Sequence, residues 1–144
     1  MTENNSTSRT KPQVDCRRLH PVVSVLNIPD AVSFYTDKLG FSPGFTWGDP
    51  PEFAGVNLGE VSIHLAKGTP NPNGSAVNFV VEDADTLFEF QRSNGIEIIQ
   101  PPQDQQYGLR YFSVRDLHGH VLSFGHYIYH VGPPVKIKRT EVTV

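Results

Sequence analysis

His20–Phe41, HPVVSVLNIPDAVSFYTDKLGF, is the stretch from which the fold of the 144-residue chain is read. Val22, Val23 and Val25 supply the β-branched side chains of a short strand. Asn27 is a good helix N-cap, Pro29 suits a first helical turn, and Asp30, three residues after Asn27, can complete a capping box. Ala31, Val32, Phe34, Tyr35 and Leu39 then recur at helical spacing, and Gly40 ends the helix.

Outward from this segment the chain alternates strands with turn residues. Ser42–Trp47 reads as a strand and Gly48–Pro51 as a turn. Phe53–Leu58 and Val61–Ala66 form a hairpin around Gly59 and Glu60. After the loop Lys67–Ser75 the plan restarts: Ala76–Val81 is a strand, Asp83 a cap, and Leu87, Phe88 and Phe90 lie in a helix that closes at Gly95. Cap and stop glycine are 13 residues apart in the first copy and 12 in the second. Ile96–Ile99 is the next strand and Gln100–Gly108 a polar loop. Arg110–Val114 and Val121–Phe124 make a second hairpin through Asp116–His120. The expectation is an α+β fold of two tandem βαβββ modules, residues 18–67 and 75–130. A polar arm, 1–17, expected to be disordered, precedes them, and a tail, 131–144, follows. Each module alone exposes an apolar sheet face, which pairing the two buries.

Composition narrows the function. The net charge of −3 is uneven: the first 19 and the last 14 residues each carry +2, which leaves −7 on residues 20–130. Phosphate binding needs a basic face, so nucleic acid is not the expected partner of the folded part, whereas a cationic small molecule would be tolerated or favoured. No apolar run approaches a membrane span. The opening residues are polar, and the single cysteine, Cys16, excludes an intrachain disulfide, so a cytoplasmic location is expected. Cys16, at the ragged start of the fold, is not expected to be a nucleophile.

Three segments resemble one family. NIPDAVSFYTDKLGF is similar to the D-x-x-x-x-x-x-F-Y-x-x-x-L-G-F signature of the glyoxalase / bleomycin-resistance / extradiol-dioxygenase (vicinal oxygen chelate) superfamily, with Asn27 where Asp is usual. GVNLGEVSIHLAKG resembles that family's fourth strand. YGLRYFSVRDLHGHVLSFG resembles its Y/W-G-x-R … D-P-x-G-x-x-L-x-F ending, with Leu117 in place of proline. The bleomycin-resistance-like members are nearest. The resemblance implies curved mixed sheets around a ligand cavity, and frequent homodimers in which modules of two chains build each site. It also implies that metal-using members place ligands at positions held here by His20, His64, Ala76 and Ser123. The internal repeat pairs the same residues. His20 lies seven residues before Asn27 and Ala76 seven before Asp83; His64 and Ser123 each follow a hairpin. The strand period of two turns Ile63 and Leu65 to the helices and His64 and Ser62 away from them. By the same period Val77, Phe79 and Val81 are core, and Ala76, Asn78 and Val80 face the cavity.

Two imidazoles on neighbouring strands could hold Zn²⁺, Ni²⁺ or Fe²⁺. Alanine cannot ligate, a serine hydroxyl ligates poorly, and the carboxylate that would serve as ligand or base is absent. The expectation is therefore no cofactor, with a divalent metal as the alternative. His118, His120, His126 and His130 are the other histidines that could complete a metal site; parity sets His126 opposite Ser123. Asp83 and Asp85 are expected to cap the second helix and complement its dipole. Phe34, Tyr35, Phe79, Phe88 and Phe124 are assigned to the core. The resemblance places Phe45, Trp47, Phe53, Tyr107 and Phe112 around the cavity, and an apolar cleft with few polar anchors suits a small organic ligand. Arg110 could pair a ligand carboxylate or a structural Asp or Glu. The reading is a homodimeric, bleomycin-resistance-like small-molecule-binding protein without metal chemistry, with antibiotic resistance as the biological setting that the resemblance suggests. The alternative is a metal-dependent glyoxalase-like lyase/isomerase or dioxygenase using His20 and His64.

Overall fold

The plan read from the sequence is built twice in the computed structural model, which describes residues 11–74 and 76–128. The first module comprises β1 (Val22–Val25), α1 (Ile28–Ser33) continued by a π-helical turn (Phe34–Lys38), β2 (Ser42–Trp47), β3 (Phe53–Leu58) and β4 (Val61–Lys67). The second comprises β5 (Ala76–Val80), α2 (Ala84–Ser93), β6 (Glu97–Asp104), β7 (Leu109–Arg115) and β8 (Val121–Tyr127). Each forms one four-stranded mixed sheet, ordered β1-β4-β3-β2 and β5-β8-β7-β6. The registers coincide: Val22 lies opposite His64 and Asn78 opposite Ser123, and both Val22 and Asn78 stand five residues before their helix cap.

The caps explain where both helices begin. The Asn27 side-chain oxygen accepts the Asp30 amide at 2.8 Å, and Asp83 accepts the Thr86 amide at 3.2 Å, each satisfying a donor that the first helical turn leaves free. The Thr86 hydroxyl and amide hold the Asp83 carboxyl below its ordinary pKa. Gly40 and Gly95 end the helices at φ 93° and 78°, which a side chain disfavours.

Parity sets the core. Ile63, Leu65, Phe112, Val114, Leu122 and Phe124 are fully buried on the helix side of their sheets. Phe41 joins the modules, its ring edge-on to Phe79 at 5.6 Å and to Phe124 at 6.4 Å, while Phe79 stacks on Phe124 at 4.7 Å. Two buried polar contacts cross the same joint. The Tyr35 hydroxyl donates to Asp116 at 2.8 Å, and the Gln91 amide donates to the Leu39 carbonyl at 3.0 Å. Burial, reinforced by the Asp116 charge, pushes the Tyr35 phenol well above its ordinary pKa, so it remains a donor.

One boundary differs from the sequence reading. The expected polar loop from Gln100 is strand as far as Asp104. Pro101 and Pro102 lack an N–H, yet β6 is the outer strand of its sheet, where a missing donor breaks no ladder. The register shifts between Gln100 and Gln103, so neither proline is paired. β8 likewise runs past Phe124 to Tyr127. Residues 11–17 of the N-terminal arm and 18–21, the expected start of the first module, carry no regular secondary structure; the arm before Lys11, His130 and the tail 131–144 lie outside the described residues. No described helix is long and apolar enough to cross a membrane.

Candidate functional site

On the first sheet the alternation that buries Ile63 and Leu65 turns His64 to the opposite, open face. The His20 ring lies on it, with centroids 4.3 Å apart and planes 12° from parallel. Phe45 and Phe53 meet His64 edge-on at 5.5 and 5.2 Å. A bare backbone makes room for this cluster: Gly55 pairs with His64 across the ladder, and the Phe45 ring covers the place where a Cβ would stand. Burial, then the neighbouring His20, lowers the His64 pKa from its ordinary value. The shift favours the neutral form of the His64 ring. Trp47, at the end of β2, is 66 % exposed beside this face.

The residues were tested against the metal that the family pattern implies. An imidazole donates through lone pairs in its ring plane, and two nearly parallel planes 4.3 Å apart do not converge on one ion. Ala76 has no donor, and Ser123 Oγ is engaged with Ser113 Oγ at 2.7 Å. No group of three or more His, Cys, Asp or Glu among the described residues is arranged to hold a cation. The donor set as placed does not fit a divalent metal.

The second sheet presents a different open face. Asn78, Tyr107, Tyr111, Ser113, Ser123 and Gly125 line a cavity of about 220 Å³. Tyr107 is 68 % exposed at its mouth; partial desolvation, with Tyr111 beside it, raises its phenol pKa. Tyr111 and Ser113 escaped the sequence reading, although the period of two on β7 and the pairing of Ser113 with Ser123 mark them.

Two expected ligand contacts lie elsewhere. Phe112 is fully buried between Phe88 and Phe124, because its register partner is the core residue Phe124. Arg110 shares that helix-side parity. Its guanidinium bonds Asp85 at 3.0 Å and Asp104 at 2.8 Å, and the Asp104 bond first, then Asp85, raises its pKa. Arg110 thus ties α2 to the sheet and is occupied. Three histidines considered as further ligands also have structural partners. His126 Nδ1 accepts the Ala84 amide at 2.8 Å, His118 Nε2 accepts the Leu26 amide at 3.1 Å, and the His120 ring is bonded to Asp116 at 2.9 Å.

A third concavity, of about 1290 Å³, opens between the β3–β4 turn and the edge formed by β5 and α2. Leu58, Val61, Val77, Phe79, Leu87 and Phe90 supply its apolar walls.

Comparison with known proteins agrees with this architecture. The model of the Glyoxalase/Bleomycin resistance protein/Dioxygenase superfamily matches residues 17–124. The chain is similar to TioX from Micromonospora sp. ML1, at 26 % identity and a TM-score of 0.64, with 76 % of this chain and 98 % of that one covered. It is similar to the bleomycin-binding protein from Streptomyces verticillus, solved with copper(II)-bleomycin, at 28 % identity and a TM-score of 0.63, covering 78 % and 97 %. A glyoxalase-related enzyme from Clostridium phytofermentans, at 22 % identity and a TM-score of 0.69, covering 82 % and 100 %, shares the fold. No curated protein matches the chain.

Proposed function

The chain belongs to the Glyoxalase/Bleomycin resistance protein/Dioxygenase superfamily, and from that premise we propose that it binds a cationic, aromatic small molecule on the open face of the first sheet. The observation that carries the reading is the His20–His64 stack edged by Phe45 and Phe53. Flat aromatic rings receive a flat cation through stacking and ring-quadrupole attraction. The −7 charge of residues 20–130 adds a favourable field. The similarity to a bleomycin-binding protein supports a ligand of drug size. In this reading a second copy of the chain closes the site, its Asn78/Ser123 face covering the aromatic face of the first.

Trp47 is the only tryptophan and stands beside the cluster, so its fluorescence reports occupancy. Titration with copper(II)-bleomycin and a panel of cationic aromatic compounds is expected to give a saturable change that Phe45→Ala abolishes. A flat response to the whole panel would overturn the reading. The rival reading, a metal-dependent lyase/isomerase or dioxygenase using His20 and His64, requires both rings to turn out of their stack toward one ion. Stoichiometric Zn, Ni or Fe on untagged protein, lost in His64→Ala, would replace ligand binding with that chemistry.

A further inference from the structure

Three adjacent strands of the second sheet build a hollow that the aromatic cluster does not share. β8 lies between β5 and β7, and the registers set the open-face residues in two rungs. Asn78, Ser123 and Ser113 stand side by side in one, and Val80, Gly125 and Tyr111 in the next. Gly125 brings no side chain to the second rung, so space remains between Val80 and Tyr111, with the first rung as its polar end. The hollow measures about 220 Å³, below the ~300–1,000 Å³ of drug-sized sites. It has room for one ring.

The chemistry of the hollow is uncharged. No Asp, Glu, Lys, Arg or His is among the described residues that line it, so an ion placed there would lose water without gaining a partner. Its walls offer hydroxyls and an amide instead. Ser113 and Ser123 share one hydrogen bond of 2.7 Å. Each hydroxyl has one hydrogen and two lone pairs, so the pair keeps an O–H to donate and lone pairs to accept with. The Asn78 amide and the phenols of Tyr107 and Tyr111 add groups of the same double capacity. Such a set matches a ligand whose own groups both give and take hydrogen bonds. The first rung spans two strand spacings, roughly 10 Å, enough to meet hydroxyls on more than one carbon of a six-membered ring. The tyrosine rings suit the apolar C–H face of the same ring. We propose that the hollow holds a neutral polyhydroxylated ring, a pyranose or cyclitol, through Asn78, Ser113, Ser123 and Tyr111, with Tyr107 packed on it at the mouth. This face is the one read above as covering the aromatic cluster of a second copy, and the inference extends that reading. The polyol preference belongs to the hollow alone, so its test needs no cationic compound.

Amide chemical shifts of the full ¹⁵N-labelled chain, followed during titration with methyl β-glucopyranoside and with myo-inositol, decide the matter. Saturable shifts centred on Tyr111, Ser113, Ser123 and Gly125 are expected, with a dissociation constant on the order of 1 mM for ligands of this size. Tyr111→Phe/Ser113→Ala removes two hydroxyls and should weaken both polyols at least about tenfold, with the Leu65 and Leu122 amides unmoved as the check on folding. Phe45→Ala, which disrupts the aromatic site, should leave the polyol response unchanged, so either reading can fail alone. No saturable shift with either polyol overturns the proposal. A response that survives the double variant, or that Phe45→Ala removes, lies elsewhere and overturns it equally. An equal response to cyclohexanol makes the hollow merely apolar, and tighter binding of glucosamine than of the methyl glucoside makes it part of the acidic field; each removes the neutral-polyol assignment.

Discussion

The two sheets share one strand order and one register but present opposite chemistries on their open faces. The first carries His20, His64, Phe45 and Phe53; the second has Ala76 and Ser123 at the histidine positions, with Ser113 and Asn78 around them. The scaffold is set by the buried helix-side core, which is apolar in both modules, so the open side is free to diverge. The helices diverge by a single residue. The 13-residue spacing of the first module is absorbed by its π-helical turn, where the Leu39 amide reaches back to Phe34, whereas the 12-residue spacing of the second forms an α-helix without one. Such a turn takes in one extra residue without breaking the helix. It lies where Tyr35 is directed into the second module.

The divergence should be confined to the open faces, and the joint between modules offers the severest test. Asp116 accepts from Tyr35, from the His118 and His120 amides and from the His120 ring. Asp116→Ala strands these buried donors and should lower stability by about 3 kcal/mol. Urea unfolding should show both modules lost in one transition; two separate transitions would make the modules independent bodies.

Glycines on the two open faces should answer differently. A Cβ at Gly125 would stand 2.8 Å from the Tyr111 Cβ and 3.1 Å from the Arg110 carbonyl, neighbours fixed by the ladder. Gly125→Ala should cost about 2 kcal/mol. At Gly55 the obstacle is the Phe45 ring, which can swing away, so Gly55→Ala should cost less than half as much in the same unfolding experiment while disordering the aromatic cluster.

Ligand affinity should be just as one-sided. For the panel compound that perturbs Trp47 most, His64→Ala should weaken binding about tenfold, or 1.4 kcal/mol. Ser123→Ala should change it by less than about threefold. Equal losses would mean that both faces contribute equally.

The smallest effect is a titration. His64 should titrate below the ordinary histidine value by NMR, and His20→Ala should move it upward. Because the unfolded chain takes up this proton first, the stack weakens the fold only as pH falls below about 6.5.

Much of the architecture was legible from residues alone. Caps, stop glycines and the period of two act within a few residues, so the strands, the helix limits and the outward turn of His64 could be read directly. β6 was shortened in that reading because two prolines suggest a loop, and only its position at the sheet edge makes them harmless. Phe112 and Arg110 were drawn to the cavity by neighbouring motif residues, although strict parity with Phe124 sets them on the helix side.

The histidines separate what each level decides. Sequence alone established two βαβββ modules, the side of the sheet from which His64 projects, and the pairing of His20 with Ala76 and of His64 with Ser123, because all three follow from local periodicity and a repeat; that these are metal-ligand positions is what the family resemblance implies. Only the tertiary structure could show that His118, His120 and His126 hold the fold, and that His20 and His64 lie face to face. A histidine's role depends on the partner that reaches its ring, and for His118 that partner is the Leu26 amide, 92 residues away. No local pattern encodes such a meeting; packing of the two modules does.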